Sequence, residues 1–363
     1  MNRRHALSAL ALTLGAIGTL TAPLAGAQTV TLRWNRWLPA NHHLDKNVFM
    51  PWMAKIAEVT QGRVKIEPTT APLGPPAQMY DMVSTGVADV VYTAEAWTPG
   101  LFPLADITAL PFNGADVEKL SVAYWKVYEK FFAPTKPYAR AVVLGLNAYS
   151  SYDIFNLKRE VAAPPDLKGL KLLGSGETRI DLMKSIGITP MSGGLPQMVE
   201  MMSTGVADGV MLPGDSVQSF SMTRVLKHRT EFPGGLGSGS GVTLVNERKW
   251  NQISAADRAA IEAISREAMS KAIGASLRGA EDVARDAFTK AGIKTIMADE
   301  KLVAYVRNAA APLEAAWIEK AKKKGVDVVF DNVIASPHTK TAANPRDELC
   351  MRHPMAVLSM RPQ

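Results

Sequence analysis

Residues 78–90 read QMYDMVSTGVADV and residues 197–210 read QMVEMMSTGVADGV, so the string STGVAD returns unchanged 119 positions on, at Ser84 and Ser203. Each copy reads as a helix–turn–strand unit. Met79, Met82 and Val83 stand at helical spacing, as do Met198, Met201 and Met202. Gly86 and Gly205 suit the left-handed residue that closes a helix, and Val87–Val91 then begins a strand with Asp89 near its start. Asp208 takes that place in the second copy. Helix stops resemble one another, but six identical residues with matching Gln, Met and acidic flanks point to two related α/β lobes.

The 363 residues are enough for two cores of ordinary size. Hydrophobic residues make up 47% and charged residues 21%, the balance of a soluble globular protein. The formal charge of +7 is spread along the chain, so nucleic-acid binding is not read from it, although the field modestly favours acidic solutes. Met1–His5 is cationic, Ala6–Ala22 is mostly apolar and Ala25-Gly26-Ala27 is an A-x-A site. This reads as a secretory signal peptide cleaved after Ala27. A membrane anchor would need a longer run than this one, which is threaded with Thr, Gly and Pro. The Arg3-Arg4 pair leaves both the Sec and the twin-arginine routes open. The single cysteine, Cys350, allows no internal disulfide and no lipid anchor after the signal.

Thr29–Trp34 alternates as a strand, and a loop through Pro39-Ala40-Asn41-His42-His43 leads to a helix from about Asp45 to Thr60. Val64–Glu67 is a second strand. Ala141–Leu146 and Gly241–Val245 flank the second unit as crossing strands. Ser254 is an N-cap opening a long helical stretch to about Lys290, and helix is expected again from Asp299 to Lys324. The fold class is therefore α/β: a two-lobed, periplasmic-binding-protein-like fold with mixed sheets flanked by helices and a cleft between lobes. The expected division is 28–148 plus about 240–280 for the first lobe and 149–239 plus about 281–333 for the second. Residues 334–363, polar and aperiodic, are expected to be a disordered tail.

Catalytic signatures are missing. There is no C-x-x-C and no H-E-x-x-H, so no metal site is expected; His42 and His43 read as solvated loop residues. The glycine-rich run 234–241 has no central Ser for a nucleophile elbow and reads as a flexible connector. Gly174-Ser175-Gly176-Glu177-Thr178-Arg179 begins like a dinucleotide fingerprint but has Arg179 where the third glycine belongs. It reads equally as a plain strand-to-helix turn or as a helix N-terminus offering N–H groups to a ligand. Two lobes without a catalytic set point to a binding protein that closes by hinge motion.

The motifs together carry a family resemblance from about Thr31 to Val328. They are Thr60-Gln61-Gly62-Arg63-Val64-Lys65-Ile66, Leu73-Gly74, Gly86-Val87-Ala88-Asp89, Leu110-Pro111-Phe112, Asp166-Leu167-Lys168-Gly169-Leu170-Lys171, Gly205-Val206-Ala207-Asp208-Gly209, and Asn246 with Trp250. In this order they resemble the periplasmic solute-binding subunit of tripartite ATP-independent periplasmic (TRAP) transporters, of the DctP type. The resemblance implies an exported, periplasmic protein without cofactor or catalysis. It implies capture of an organic acid and its delivery to two membrane subunits driven by an ion gradient; an organic or aromatic acid is the expected solute. It also implies C-terminal helices packed across both lobes. A monomer is expected, with a small-molecule solute and the membrane subunits as partners and no nucleic acid.

The departures lie at the acid clamp. The family's strand after D-L-K-G carries an arginine that pairs with the substrate carboxylate; here that position is Leu173. Gln197 replaces a usual Glu, and Leu212 replaces an Asn before Pro213. Either the solute is not a simple acid, or Arg36 or Arg179 substitutes for the missing clamp. Loop positions after strands supply the other candidate walls: Trp34, Trp37, Tyr92, Glu95, Trp97, Tyr149, Ser151, Gly176, Leu195, Met211 and Asp215. The tryptophans suit a flat, apolar or aromatic solute. A periplasmic sensor component remains the alternative function, and an exported α/β enzyme the remote one.

Overall fold

The computed structural model describes residues 29–114, 116–326, 329–330 and 358–359. The leader expected over 1–27 lies outside these residues. So does the expected tail, apart from Leu358–Ser359, which pairs with Val329–Phe330.

In chain order the strands are β1 (Val30–Asn35), β2 (Val64–Pro68), β3 (Val90–Ala94), β4 (Ala141–Ala148), β5 (Asp153–Asn156) and β6 (Lys171–Leu173). They continue with β7 (Thr189–Met191), β8 (Gly209–Leu212), β9 (His228–Glu231), β10 (Ser240–Asn246) and β11 (Lys294–Met297). The helices are α1 (Met50–Val59), α2 (Met79–Thr85), α3 (Val117–Val127), α4 (Pro164–Leu167), α5 (Glu177–Ser185) and α6 (Met198–Ser203). After them come α7 (Gly214–Ser219), α8 (Glu247–Trp250), α9 (Ala255–Ala263), α10 (Glu267–Lys290) and α11 (Glu300–Lys323).

The strands form two sheets, ordered β2-β1-β3-β10-β4 and β11-β9-β5-β8-β6-β7. Each has the same plan: three parallel strands (β2-β1-β3 and β7-β6-β8), then an antiparallel neighbour (β10 or β5), then β4 or β9. The repeated phrase occupies the same place in both. α2 ends at Gly86 with φ 87° and the second copy turns at Gly205 with φ 76°, a conformation that a side chain would disfavour.

The aspartate that ends the phrase ties the turn to the neighbouring strand. Arg33 N–H donates to Asp89 Oδ2 at 2.8 Å, and Asp89 N–H donates to the Arg33 carbonyl at 3.0 Å. In the second lobe Lys171 N–H donates to Asp208 Oδ2 at 2.9 Å, and Asp208 N–H donates to the Lys171 carbonyl at 2.7 Å. On the other side, the Asp89 and Asp208 carbonyls accept N–H groups from Asn246 (2.8 Å) and Leu157 (2.9 Å). Each carboxylate thus adds one rung before its strand begins, satisfying a donor that the ladder leaves unpaired.

The chain leaves the first sheet through residues 149–152 and returns through 232–239. The glycine-rich return is not the flexible connector expected from composition. Tyr149 and Tyr152 donate N–H to the Gly239 and Gly237 carbonyls, and Ser238 donates to Thr108, all at 2.8–2.9 Å. A second departure concerns the stretch after Ser254, which is not one helix. α9 and α10 are separated at Arg266 (φ 55°), whose N–H is taken by the Leu144 carbonyl of β4, so the helical ladder stops there. A third lies at the N-terminal end of α1, where Asp45–Phe49 is a π turn. α10 packs against α3 and β4 on one side and α7 on the other. α11 packs on α5 and sends Trp317 into the first lobe, its Nε1–H donating to the Pro103 carbonyl at 3.1 Å.

Removing either rung should destabilise its lobe. Asp89→Ala and Asp208→Ala are each expected to cost about 1.5–3 kcal/mol, the range for a hydrogen bond to a charged group. Urea unfolding with unchanged midpoints for both variants would contradict that role.

Candidate ligand-binding cleft

The carboxyl ends of the parallel strands in the two sheets deliver their loops to the seam between the lobes, where open α/β sheets place ligands. A groove of about 360 Å³ also lies on the outer face of the first lobe, lined by Pro51, Trp52, Ile264 and Met269 among others. It is apolar and holds none of the polar groups gathered at the seam.

Arg179, in the first turn of α5, is 2% exposed. Its guanidinium carbon stands 3.4 Å from the centre of the Tyr152 ring, a cation–π stack. Nη1 donates to the Ser175 carbonyl at 2.7 Å and Nη2 to the Ser238 carbonyl at 2.5 Å. Nε has no partner, and among the described residues the side chain makes no ion pair. Burial pushes its pKa down, against the through-space pull of Tyr152 and Asp106.

Tyrosines surround this arginine. Tyr92 on β3 donates to Asn147 Oδ1 at 3.2 Å and lies beside Tyr149. Burial raises the pKa of Tyr92, Tyr149 and Tyr152 above the ordinary phenol value, so all three are neutral donors. Trp37 and Trp97 meet edge to face at 4.8 Å, with Trp37 Nε1–H donating to the Tyr92 carbonyl at 2.8 Å. Beside them a crevice runs between Glu95, Ala96 and Asp106 of the first lobe and Gly176 and Glu177 of the second. Gly176 lets the two walls meet there, since a Cβ on it would lie 3.3 Å from Ala96 Cβ.

The third polar group is Asp215, 4% exposed at the start of α7. Its Oδ2 lies 3.6 Å from His43 Nε2, and its N–H donates to Glu281 of α10 at 2.9 Å. His43 Nδ1 lies 2.9 Å from Ser276 Oγ, and His42 stacks on His43 at 4.4 Å. The histidine pair is thus half-buried at the lobe seam, not solvated as the loop composition suggested. Glu281 also accepts from Arg229 at 2.9 Å, and Arg229 holds Asp153 at 2.6 and 3.0 Å. Burial pushes Asp153 up to about 7 and raises Glu281 as well, with Asp215 adding to the effect.

Several candidate residues lie elsewhere. Trp34 packs on Phe49 and Trp52 in the first core. Leu173, Met211 and Leu212 are buried in the second core, with Leu195 at its edge. Arg36 is paired with Asp45. Glu95 remains on the crevice wall, but its carboxylate is taken: it accepts from Tyr138 and, at 2.9 Å, from Tyr124, and burial raises its pKa. Ser151 donates to the Gly114 carbonyl at 3.1 Å. The seam therefore gathers Arg179, Tyr92, Glu95, Tyr149, Trp37, Trp97, Gly176 and Asp215, together with Asn147, Tyr152, Ser238 and His43, which the sequence reading did not name as cleft walls. Tyr152 directly follows a named position, and its place at the crossing was the available signal.

A model of the family described as bacterial extracellular solute-binding protein, family 7 (DctP), matches residues 35–331. The outer membrane transporter protein TsaT of Comamonas testosteroni is 30% identical over 307 residues, covering 84% of this chain and 90% of that one. A TRAP periplasmic solute-binding protein from Bordetella bronchiseptica, solved with bound (R)- and (S)-mandelate, is 32% identical. It covers 82% of this chain and 94% of its own, with a TM-score of 0.78. A marine metagenome TRAP protein in complex with metahydroxyphenylacetate is 27% identical over 82% of this chain and 94% of its own, with a TM-score of 0.76.

Burial and the neighbouring His43 hold the pKa of His42 down to about 4 from 6.5, outweighing the pull of Asp215. Unfolded histidine takes a proton near pH 6.5, so between pH 6.5 and 4 the unfolded state binds more protons. Stability should fall as pH drops through that window, by roughly 3 kcal/mol from this group. His42→Gln is expected to lose less stability than the parent between pH 7 and 4.5 in urea unfolding. Identical losses would contradict the assignment.

Proposed function

The chain belongs to the DctP family of bacterial extracellular solute-binding proteins, the periplasmic subunits of TRAP transporters, and from that premise we propose that its solute is an aromatic carboxylate. The carboxylate sits on Arg179 and the ring lies among Tyr92, Tyr149, Tyr152 and the Trp37–Trp97 pair. Arg179 is the observation that carries this reading. A buried guanidinium without a carboxylate partner is costly, and two carbonyls and a ring face hold this one in place. An anionic ligand supplies the missing counter-charge. The planar fork of arginine suits a carboxylate, so Arg179 takes over from the position held by Leu173.

The aromatic acids in the two related structures support the same solute class. In this reading the lobes, divided near 148 and 240, close about the crossings at 149–152 and 232–239. The protein is exported with cleavage after Ala27, acts as a monomer, and hands its solute to two membrane subunits. It binds without performing catalysis.

After unfolding and refolding to remove any bound solute, benzoate, phenylacetate and mandelate should each raise the melting temperature, whereas succinate should not. By calorimetry Arg179→Gln should weaken binding of these acids about 100-fold, the worth of charge-assisted hydrogen bonds, with Arg179→Lys in between. Stabilisation by succinate alone, or full affinity in Arg179→Gln, would overturn the proposal. A fusion of residues 1–30 to a reporter should reach the periplasm; cytoplasmic retention would contradict export.

A further inference from the structure

Arg179 accounts for one end of a bound acid, and Asp215 is a second buried charged group at the seam that lacks a full set of partners. Its carboxylate is 4% exposed. Oδ1 is shielded from solvent and has no hydrogen-bond partner. Oδ2 faces His43 Nε2 at 3.6 Å, beyond hydrogen-bond length, and that nitrogen is also buried without a partner. A buried carboxylate oxygen without a donor, beside a buried ring nitrogen without a partner, is an expensive arrangement for a packed interior.

The two groups come from different lobes. His43 follows β1 of the first, whereas Asp215 follows β8 of the second. Asp215 is also an electrostatic neighbour of Tyr92 and Tyr152, the rings proposed to line the solute. By contrast, the electrostatic partners of Arg179 are Tyr152 and Asp106. Tyr152, stacked on Arg179, is thus a neighbour of both charged groups.

We propose that Asp215, held in place by His43 and Glu281, accepts a hydrogen bond from a hydroxyl group on the solute, so that the preferred ligands are hydroxylated aromatic carboxylates. This rests on the aromatic-acid reading above. A hydroxyl fits better than an ammonium group. The charged and titratable groups facing this corner are His42, His43, Tyr92, Tyr152, Glu281 and, through Glu281, Arg229. Arg229 already supplies a positive charge to this corner through Glu281. A neutral donor satisfies Oδ1 without adding charge, and a site built to receive a hydroxyl discriminates against the analogue that lacks it.

The test is calorimetry on refolded protein with phenylacetate, its 2-, 3- and 4-hydroxy derivatives, and mandelate. At least one hydroxylated acid should bind about 10- to 100-fold more tightly than phenylacetate. That ratio should shrink to near unity in Asp215→Leu and take an intermediate value in Asp215→Asn, which keeps an acceptor oxygen and the side-chain shape. Equal affinity of the wild type for all five acids, or an unchanged ratio in both variants, overturns the subsite while leaving the Arg179 reading standing. If none of the five acids binds the wild type, the aromatic-acid reading fails, and the subsite with it. Tighter binding of phenylalanine than of any hydroxy acid would overturn the choice of a neutral donor.

Discussion

The reciprocal pair of hydrogen bonds between Asp89 and Arg33, repeated between Asp208 and Lys171, sets the frame on which the cleft stands. A carboxylate pairing with a backbone N–H fixes where the third parallel strand enters each sheet. Because side chains alternate along a strand, a one-residue slip would turn every side chain to the opposite face. β3 and β8 are buried along their whole length, so a slip would exchange the side chains packed on their two faces. Registering these strands at their amino ends also fixes what their carboxyl ends present: Tyr92 and Glu95 from one lobe, Asp215 from the other.

From that frame the seam acquires its character by difference. Both lobes bury ordinary apolar cores, but the seam collects tyrosines, a tryptophan pair, a buried arginine and a buried aspartate. Burying an arginine without a carboxylate and an aspartate oxygen without a donor works against stability. Two buried groups of opposite charge that lack counter-charges, gathered where the lobes meet, mark the place where a ligand completes the structure. The long helices α10 and α11 span both lobes, so the network from Arg229 through Glu281 to Asp215 connects the spanning helix to the cleft.

Much of the frame was legible in the chain. The repetition gave two lobes, Gly86 and Gly205 marked the turns, and the absence of catalytic spacing pointed to binding. The loss of the usual arginine at Leu173 was visible, and Arg179 was one of two named substitutes. Its rival Arg36 is paired with Asp45, a contact nine residues away in sequence that no local pattern announces. The rest depends on long-range packing. His43 meets Ser276 across 233 positions, and the glycine run is pinned by backbone bonds to segments far off in sequence. Arg266 breaks a helix only because a β4 carbonyl takes its N–H. Trp34 looked like a platform because it stands near the end of a strand, yet the alternation of β1 turns it into the core.

The most direct measurement is a crystal structure of the refolded protein soaked with phenylacetate. A closed form is expected, with the carboxylate oxygens about 3 Å from the Arg179 guanidinium and the ring against Tyr152 or the Trp37–Trp97 pair. A carboxylate seated on Arg36, or a ligand in the outer groove between α1 and α10 with the seam unchanged, would contradict it.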